Sequence, residues 1–240
     1  MQAHSWESAV VGLRIAPDRL LVSEIFDSVQ GEGPSVGRPC TFLRLGLCNL
    51  RCAWCDTPYT WDASRYDLRA EIRTMDLATV RHQVSKATRI VLTGGEPLLQ
   101  QEALEALLHD LSATIEVETA GTLVPRERFA EQVAQWNVSP KLTSAGNGAK
   151  SRVDPALRWF AAQPSAFFKF VVQGEGDLVE AREMIETYGI PADRVWLMPE
   201  GTDAETLASR SAWLADHCIR DGYNLGTRLH ITLWGDRRGV

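Results

Sequence analysis

The feature that most constrains the fold is a regular alternation of strand-like and helix-like segments that begins near residue 89. The predicted strands are 89–92, 114–118, 136–138, 166–172, 194–198 and 228–234, and the predicted helices between them are 97–111, 126–134, 154–163, 177–188 and 204–220. Such alternation is typical of parallel βαβ units. We therefore predict an α/β fold with a partial or modified TIM-like barrel of parallel strands, built as one domain over residues 1–240.

The first third of the chain predicts fewer regular elements. Strands are expected at 21–29 and 40–45, joined through the turn residues 30–34, and Asp76 is expected to cap a helix that ends at about Ala87. Residues 59–74 show no clean period and are predicted to be irregular. Neither that stretch nor residues 144–154 suggests a role by itself.

Motif-rich segments follow several of the predicted strands. They are Gly94–Pro97, Glu118–Gly121, Ser139–Lys141 and Met198–Gly201. The carboxyl ends of barrel strands carry the chemistry in TIM-like folds, so we expect these segments to meet at one site. The double glycine at 94 and 95 is expected to let a ligand approach the backbone closely.

Three cysteines on one short loop indicate a metal site. Cys48, Cys52 and Cys55 have the spacing C-x3-C-x2-C. A 4Fe-4S cluster held by three cysteines leaves one iron open to a small molecule. Two alternatives remain: a zinc site that takes Cys40 as its fourth ligand, and buried thiols with no metal role.

Composition limits the classes of binding partner and the cellular location that we expect. Twenty-five Lys and Arg residues against 31 Asp and Glu give a formal net charge of -6, which does not favour nucleic acid binding. Residues 1–10 lack the pattern of a leader peptide, and no apolar run reaches the ~20 residues of a membrane span. Five cysteines, three of them clustered, fit a reducing compartment. We expect a cytoplasmic protein with no membrane segment.

Two motifs together resemble the radical S-adenosylmethionine (SAM) superfamily. One is the three-cysteine loop with Trp54 before its last cysteine, and the other is the segment TGGEP at 93–97. The order QGEG, FLRLGLCNLRCAWCDT, TGGEP, ETAG, SPK and LHITLWG, from Glu24 to Trp234, narrows the resemblance to the 7-carboxy-7-deazaguanine synthase family. The chain departs from the family pattern at Leu47, before the first cysteine, and at Ala120, where the family has Asn.

The resemblance implies a reaction and its cofactors. The family converts 6-carboxy-5,6,7,8-tetrahydropterin to 7-carboxy-7-deazaguanine by a radical ring contraction with loss of ammonia, a step towards queuosine and other deazapurines. It implies a 4Fe-4S cluster, SAM and Mg²⁺, an electron donor such as flavodoxin, and a homodimer. A second short radical SAM enzyme, an activase that makes a glycyl radical on a partner protein, stays as the alternative enzyme class, and a zinc-stabilised binding module as the alternative outside enzymes.

The resemblance also assigns roles to individual residues. It implies cluster ligation by Cys48, Cys52 and Cys55 and Mg²⁺ ligation by Thr57. The implied SAM contacts are Trp54, Asp56, Gly95, Ser139, Pro140, Lys141, Leu197, Met198, Pro199 and Glu200. The implied substrate contacts are Val29, Gln30, Gly31, Glu32, Arg44, Thr93, Glu118 and His230. Without the resemblance, His230 would be interpreted as a histidine in a strand.

Overall fold

The computed structural model describes residues 15–109 and 111–240. The strands are β1 (Arg19–Val29), β2 (Pro39–Leu45), β3 (Arg73–Asp76), β4 (Arg89–Gly94), β5 (Thr114–Thr119), β6 (Gln135–Val138), β7 (Ala166–Val172), β8 (Val195–Pro199) and β9 (Asn224–Leu225). The helices are α1 (Leu68–Glu71), α2 (Leu77–Val84), α3 (Gln101–Leu108), α4 (Glu127–Ala130), α5 (Asp154–Ala161), α6 (Glu175–Tyr188), α7 (Ala204–Asp221) and α8 (Leu229–Trp234). Residues 1–10, for which no leader peptide is expected, lie outside the described residues.

One sheet carries the fold. Its strand order is β3-β1-β2-β4-β5-β6-β7-β8-β9, and every pair from β2 to β9 is parallel. Strand β1 pairs antiparallel with both β2 and β3. Within the described residues, β3 and β9 are the two edges of the sheet. The prediction of an α/β fold with a partial barrel of parallel strands is confirmed.

A single large apolar cluster packs the helices against the sheet. It runs from Leu20 in β1 to Cys218 in α7, and the aromatic side chains of Phe129, Trp136 and Phe160 form its centre with edge-to-face ring contacts. The side chains that the parallel strands contribute to the cluster are apolar, whereas alternate positions of β5 and β6 carry the polar side chains of Glu116, Glu118 and Asn137. The cluster fixes the strands, and the strand ends position the site.

The predicted strand at 228–234 is wrong, because the structure has helix α8 there. The alternation in LHITLW suggested a strand. The hydrogen bonds at the outer edge of β8 are already taken, however, by β9 and by the bond of 2.7 Å from Gly226 N to Leu197 O. The segment does not reach β8 and satisfies its backbone internally as a helix, which begins where Leu229 N donates to Gly31 O.

The stretch 59–74, expected to be irregular, contains α1 and the first two residues of β3. Strand β3 lies at the sheet edge, and only Met75 among its four side chains is buried. An edge strand with one buried residue shows too little alternation for a sequence pattern to reveal it.

Several predicted helices are present but shorter. The cap of α2 is confirmed, because the Asp76 carboxylate accepts from Thr79 N at 2.8 Å, yet the helix ends at Val84. The helix expected at 97–111 begins with a 3-10 turn at Pro97–Gln100, and that expected at 126–134 is reduced to α4. Helix α6 ends, as predicted, before Gly189, which has φ of 62°.

Among the described residues, no helix has the length and the apolar character needed to cross a lipid bilayer.

Candidate active site

A cavity of about 620 Å³ opens at the carboxyl ends of the parallel strands. All of the motif-rich segments named above contribute residues to its wall, together with the three-cysteine loop and the segment that follows β1. Its volume lies in the range typical of small-molecule sites. The parallel sheet therefore brings together, at one place, segments that lie far apart in the sequence.

The three cysteines line this cavity, and each sulfur accepts a hydrogen bond from an N–H group. Leu50 N donates to Cys48 Sγ at 3.4 Å, Asn147 Nδ2 to Cys52 Sγ at 3.1 Å, and Trp61 Nε1 to Cys55 Sγ at 3.3 Å. Burial raises the pKa of the Cys48 and Cys52 thiols. The thiolate forms therefore need a nearby cation to be stable. Hydrogen-bond donors around the sulfurs are typical of cysteines that bind iron–sulfur clusters.

The described residues contain no group of three or more Cys, His, Asp or Glu side chains placed to hold a single metal ion. A 4Fe-4S cluster does not require such convergence, because each cysteine binds a different iron. The cysteine loop therefore fits a cluster better than one zinc ion.

Cys40, the fourth ligand of the zinc alternative, lies at the opposite end of β2 from the cysteine loop. The strand from Cys40 to Leu45 spans about 16 Å at the usual rise per residue. Cys40 is buried against Phe42 and Val91, and burial raises its thiol pKa to about 12. The geometry argues against a zinc site that combines Cys40 with the loop cysteines.

The double glycine of the TGGEP segment packs directly on the cysteine loop. Gly94 has φ of 119°, and a Cβ there would lie 2.2 Å from Leu45 O. A Cβ at Gly95 would lie only 1.8 Å from Leu47 O. The backbone N–H groups of Gly95 and Glu96 donate to Leu45 O and Leu47 O at 3.0 and 2.8 Å. The two glycines thus allow a close backbone contact within the protein, in addition to the SAM contact that the resemblance implies for Gly95.

Glu96 ties this segment to the next strand. Its side chain is fully buried and accepts from Leu98 N at 3.1 Å, from Thr119 Oγ1 at 2.8 Å and from Ala120 N at 2.9 Å. Burial raises the pKa of this carboxyl against the effect of those donors. Glu96 is therefore a structural link between the β4 and β5 ends. The backbone N–H of Ala120 donates one of the hydrogen bonds of that link.

Three of the predicted substrate residues form one hydrogen-bonded group. Glu118 accepts from Gln30 Nε2 at 3.1 Å and from Thr93 Oγ1 at 2.6 Å, one bond on each carboxylate oxygen. The two donors fix the orientation of the carboxylate at the cavity wall. A fixed carboxylate is suited to accept N–H donors from a ligand.

Glu32 lies between two cations. It accepts from Lys169 Nζ and, at 3.2 Å, from Arg228 Nε. Burial opposes ionisation of Glu32, but Lys169, Arg228 and His230 together outweigh it and lower the carboxyl pKa well below its usual range. Arg228 also donates to Asp56 and to Gly201 O, the latter at 2.7 Å. One buried guanidinium thus joins three walls of the cavity.

Arg44 reaches the cavity but is not isolated there. Its Nε donates to Glu24 at 2.8 Å, and its guanidinium lies 5.6 Å from the centre of the Phe26 ring. Glu24 also accepts from Tyr59 at 3.0 Å and from Arg238 at 2.7 Å. The two Nη atoms of Arg44 carry four further N–H donors that Glu24 does not use in this contact.

Three of the predicted SAM residues lie together in the cavity wall. Lys141 Nζ lies 5.6 Å from the centre of the Trp54 ring and donates to Ser139 Oγ at 3.0 Å. Trp54 Nε1 is buried and has no hydrogen-bond partner among the described residues. Thr57 lies at the rim of the same wall, with its Oγ1 3.8 Å from Cys55 Sγ.

Most of the remaining predicted residues also line the cavity; they are Val29, Gly31, Asp56, Gly95, Met198, Glu200 and His230. His230 packs against Gly31, where an added Cβ would lie 2.2 Å from His230 Nδ1. Burial lowers the pKa of His230. Leu197 is fully buried in the core, and Pro140 and Pro199 do not line the cavity.

The sequence interpretation missed several residues of the wall. They are Phe26, Phe42, Tyr59, Trp61, Tyr66, Lys169, Arg228 and the C-terminal residues Asp236–Val240. The charged side chain of Lys169 inside the apolar run AFFKFVV is a signal that could have identified this residue. Arg228 carried no such signal, because an arginine after a predicted loop is ordinary.

Comparisons with known proteins identify relatives of this chain. A family model described as Radical SAM superfamily matches residues 44–142. The 7-carboxy-7-deazaguanine synthase of Pyrobaculum aerophilum is 40% identical over 93% of this chain and 99% of its own length. The protein of that name from Hyperthermus butylicus is 37% identical over 88% of the chain and 92% of its own length. The crystal structure of QueE from Escherichia coli superposes with a TM-score of 0.66 and 25% identity, covering 88% of this chain and 95% of that one.

The partial barrel, the three-cysteine loop and the matching family model define a radical SAM protein. Within that superfamily the chain belongs to the 7-carboxy-7-deazaguanine synthase family. The resemblance inferred from the motifs is therefore confirmed at the level of both the superfamily and the family.

Proposed function

We propose that this chain is a radical SAM enzyme that converts 6-carboxy-5,6,7,8-tetrahydropterin to 7-carboxy-7-deazaguanine, with loss of ammonia, in deazapurine and queuosine biosynthesis. Relatives that match this chain over nearly their whole length are named 7-carboxy-7-deazaguanine synthase. The observation that carries the proposal is the hydrogen-bonded group of Gln30, Thr93 and Glu118, which faces the same cavity as the three cysteines.

The cysteine side of the cavity would hold the cofactors. Cys48, Cys52 and Cys55 would ligate a 4Fe-4S cluster, as their N–H donors and partial burial favour. When bound and reduced, the cluster supplies the electron that cleaves SAM into methionine and a 5'-deoxyadenosyl radical. Trp54 and Lys141, which lie together in the cavity wall, would border SAM.

The opposite side would bind the pterin. The oriented carboxylate of Glu118 would accept N–H donors from the amino-substituted ring, and Arg44 would bind the carboxylate of the substrate. The lowered pKa of Glu32 keeps it ionised at neutral pH, so Glu32 stays an acceptor between Lys169 and Arg228. These groups orient the substrate, and orientation decides whether the reactive carbon faces the radical source.

Thr57 is the proposed Mg²⁺ ligand of the protein. Its single hydroxyl leaves the other five positions of an octahedral ion to substrate and water oxygens. The rim position of Thr57, beside the cysteine loop and within the substrate cavity, supports this role.

The remaining parts of the proposal concern organisation and surroundings. We propose one radical SAM domain, a homodimer, an electron donor such as flavodoxin, and a cytoplasmic location. The exposed apolar side chains of Leu233 and Trp234 support a subunit contact. All five cysteines are free thiols, which suits a reducing compartment.

An anaerobic assay tests the proposal. Reconstituted protein is incubated with the carboxytetrahydropterin, SAM, Mg²⁺ and a reductant, and the products are identified by mass spectrometry. We expect 7-carboxy-7-deazaguanine from the wild type and almost none from Glu118→Gln, which keeps the shape of the side chain but loses its charge. A wild type that cleaves SAM and returns the pterin unchanged would contradict the proposed substrate. A colourless protein that binds zinc instead of iron would contradict the enzyme class.

A further inference from the structure

The segment Thr143–Arg152 covers one side of the cysteine loop, although its sequence suggested no role. Its two ends are held together on helix α6, because Thr143 N and the Arg152 guanidinium both donate to the Glu180 carboxylate. Its middle touches the cysteine loop, where Ala53 N donates to Ala145 O at 3.0 Å. The segment is therefore fixed at its base and in contact with the loop at its tip.

Asn147 makes the central contact between this segment and the loop. Its Oδ1 accepts from Arg51 N at 2.7 Å, and its Nδ2 donates to Cys52 Sγ at 3.1 Å. The orientation of the amide is determined by its neighbours: the backbone N–H of Arg51 can only donate, and the carbonyl of Ala145, 3.5 Å from Nδ2, can only accept. The N–H group of the amide is therefore aimed at the sulfur.

We propose that Asn147 is a positioning residue of the cluster site, which acts through Cys52 to hold this ligand and to raise the reduction potential of the cluster. The inference rests on the proposed function, since it takes Cys52 as a cluster ligand. An N–H dipole that points at a cysteine sulfur stabilises the added negative charge of the reduced cluster, and hydrogen bonds to the sulfurs are one of the factors that set such potentials. The electron donor then needs less driving force to reduce the cluster.

Two substitutions at one position separate the two contacts of Asn147. Asn147→Asp keeps an oxygen for Arg51 N, so the segment stays attached, but it removes the N–H donor and adds a negative charge near the sulfur. Asn147→Leu removes both contacts and keeps a similar volume. Ser151→Ala is the control, because it removes the bond of 2.9 Å from Ser151 Oγ to Gly148 O within the same segment and does not touch a cysteine.

The measurement is the midpoint potential of the reconstituted cluster without SAM, obtained by redox titration followed by electron paramagnetic resonance. We expect Asn147→Leu to make reduction about tenfold less favourable, a shift of about 59 mV to more negative potential for one electron. Asn147→Asp should shift the potential further in the same direction, and Ser151→Ala should leave it at the wild-type value.

The outcomes separate this inference from the proposed function. Wild-type potentials in both Asn147 variants, or an equal shift in Ser151→Ala, would overturn the role of Asn147 while leaving the cluster assignment in place. A wild type that assembles no iron–sulfur cluster would overturn both. If Asn147→Leu cannot assemble the cluster, the Asn147→Asp potential decides alone, since that variant keeps the bond that attaches the segment.

Discussion

Replacing Gly95 with Ala tests whether the double glycine packs the cysteine loop, independently of any ligand. The added Cβ would lie 1.8 Å from Leu47 O and 2.5 Å from Leu47 C. Relief of this overlap requires the two backbones to separate by more than 1 Å, because ordinary contacts begin near 3.4 Å. The separation weakens the hydrogen bonds from Gly95 N to Leu45 O and from Glu96 N to Leu47 O.

The expected cost follows from these contacts. Two net hydrogen bonds are worth about 0.5–1.5 kcal/mol each, and forced overpacking costs about 1–3 kcal/mol. We therefore expect Gly95→Ala to lower the free energy of unfolding by about 2–6 kcal/mol, a large part of the 5–15 kcal/mol that is usual for a domain. The reconstituted variant should also bind SAM more weakly.

Urea unfolding of the protein without iron or SAM is the decisive assay. Gly176→Ala is the matched control, since Gly176 lies in helix α6 and an added Cβ meets nothing within 4 Å. The control should be as stable as the wild type or more stable by up to about 1 kcal/mol. If Gly95→Ala unfolds at the wild-type urea concentration and only SAM binding is lost, the glycine serves the ligand alone and our argument is refuted.

Four further predictions concern the metal, the substrate and pH. Cys52→Ala should lose the reconstituted iron–sulfur absorbance while Cys40→Ala keeps it, and the reverse result would contradict the ligand assignment. Arg44→Lys should weaken binding of the carboxypterin by about 1.5–3 kcal/mol and leave SAM binding nearly intact, as measured by calorimetry; equal weakening of both would make Arg44 structural. Thr57→Val should keep cluster and SAM but lose most of the Mg²⁺ stimulation of product formation, and an unchanged Mg²⁺ response would exclude Thr57 as the ligand. Burial raises the pKa of Glu96 above its ordinary 4.5, so the contribution of Glu96 to the free energy of unfolding should fall as pH rises from 4.5 towards the raised value. Glu96→Gln should remove that contribution in urea titrations, and a difference between wild type and variant that does not fall as pH rises above 4.5 would contradict it.

Local sequence patterns determined the order and type of most elements, and the motifs identified the family. The alternation after residue 89 predicted the parallel strands β4 to β8 because buried parallel strands and their helices carry strong, separate periodicities. The spacing of Cys48, Cys52 and Cys55 suggested a metal site because it is a property of one short loop. Both signals are local, so no tertiary structure was needed to detect them.

Tertiary structure alone decided what depends on contacts between distant segments. Residues 229–234 form a helix beside Gly31 instead of a strand paired with β8, whose edge β9 occupies, and no local pattern contains those contacts. Arg228 became the link between Glu32 and Asp56, and Asn147 became a donor to Cys52, 95 residues away in sequence. Each of these bonds forms because the sheet places the ends of its strands side by side, and a sequence read one segment at a time does not contain those distances.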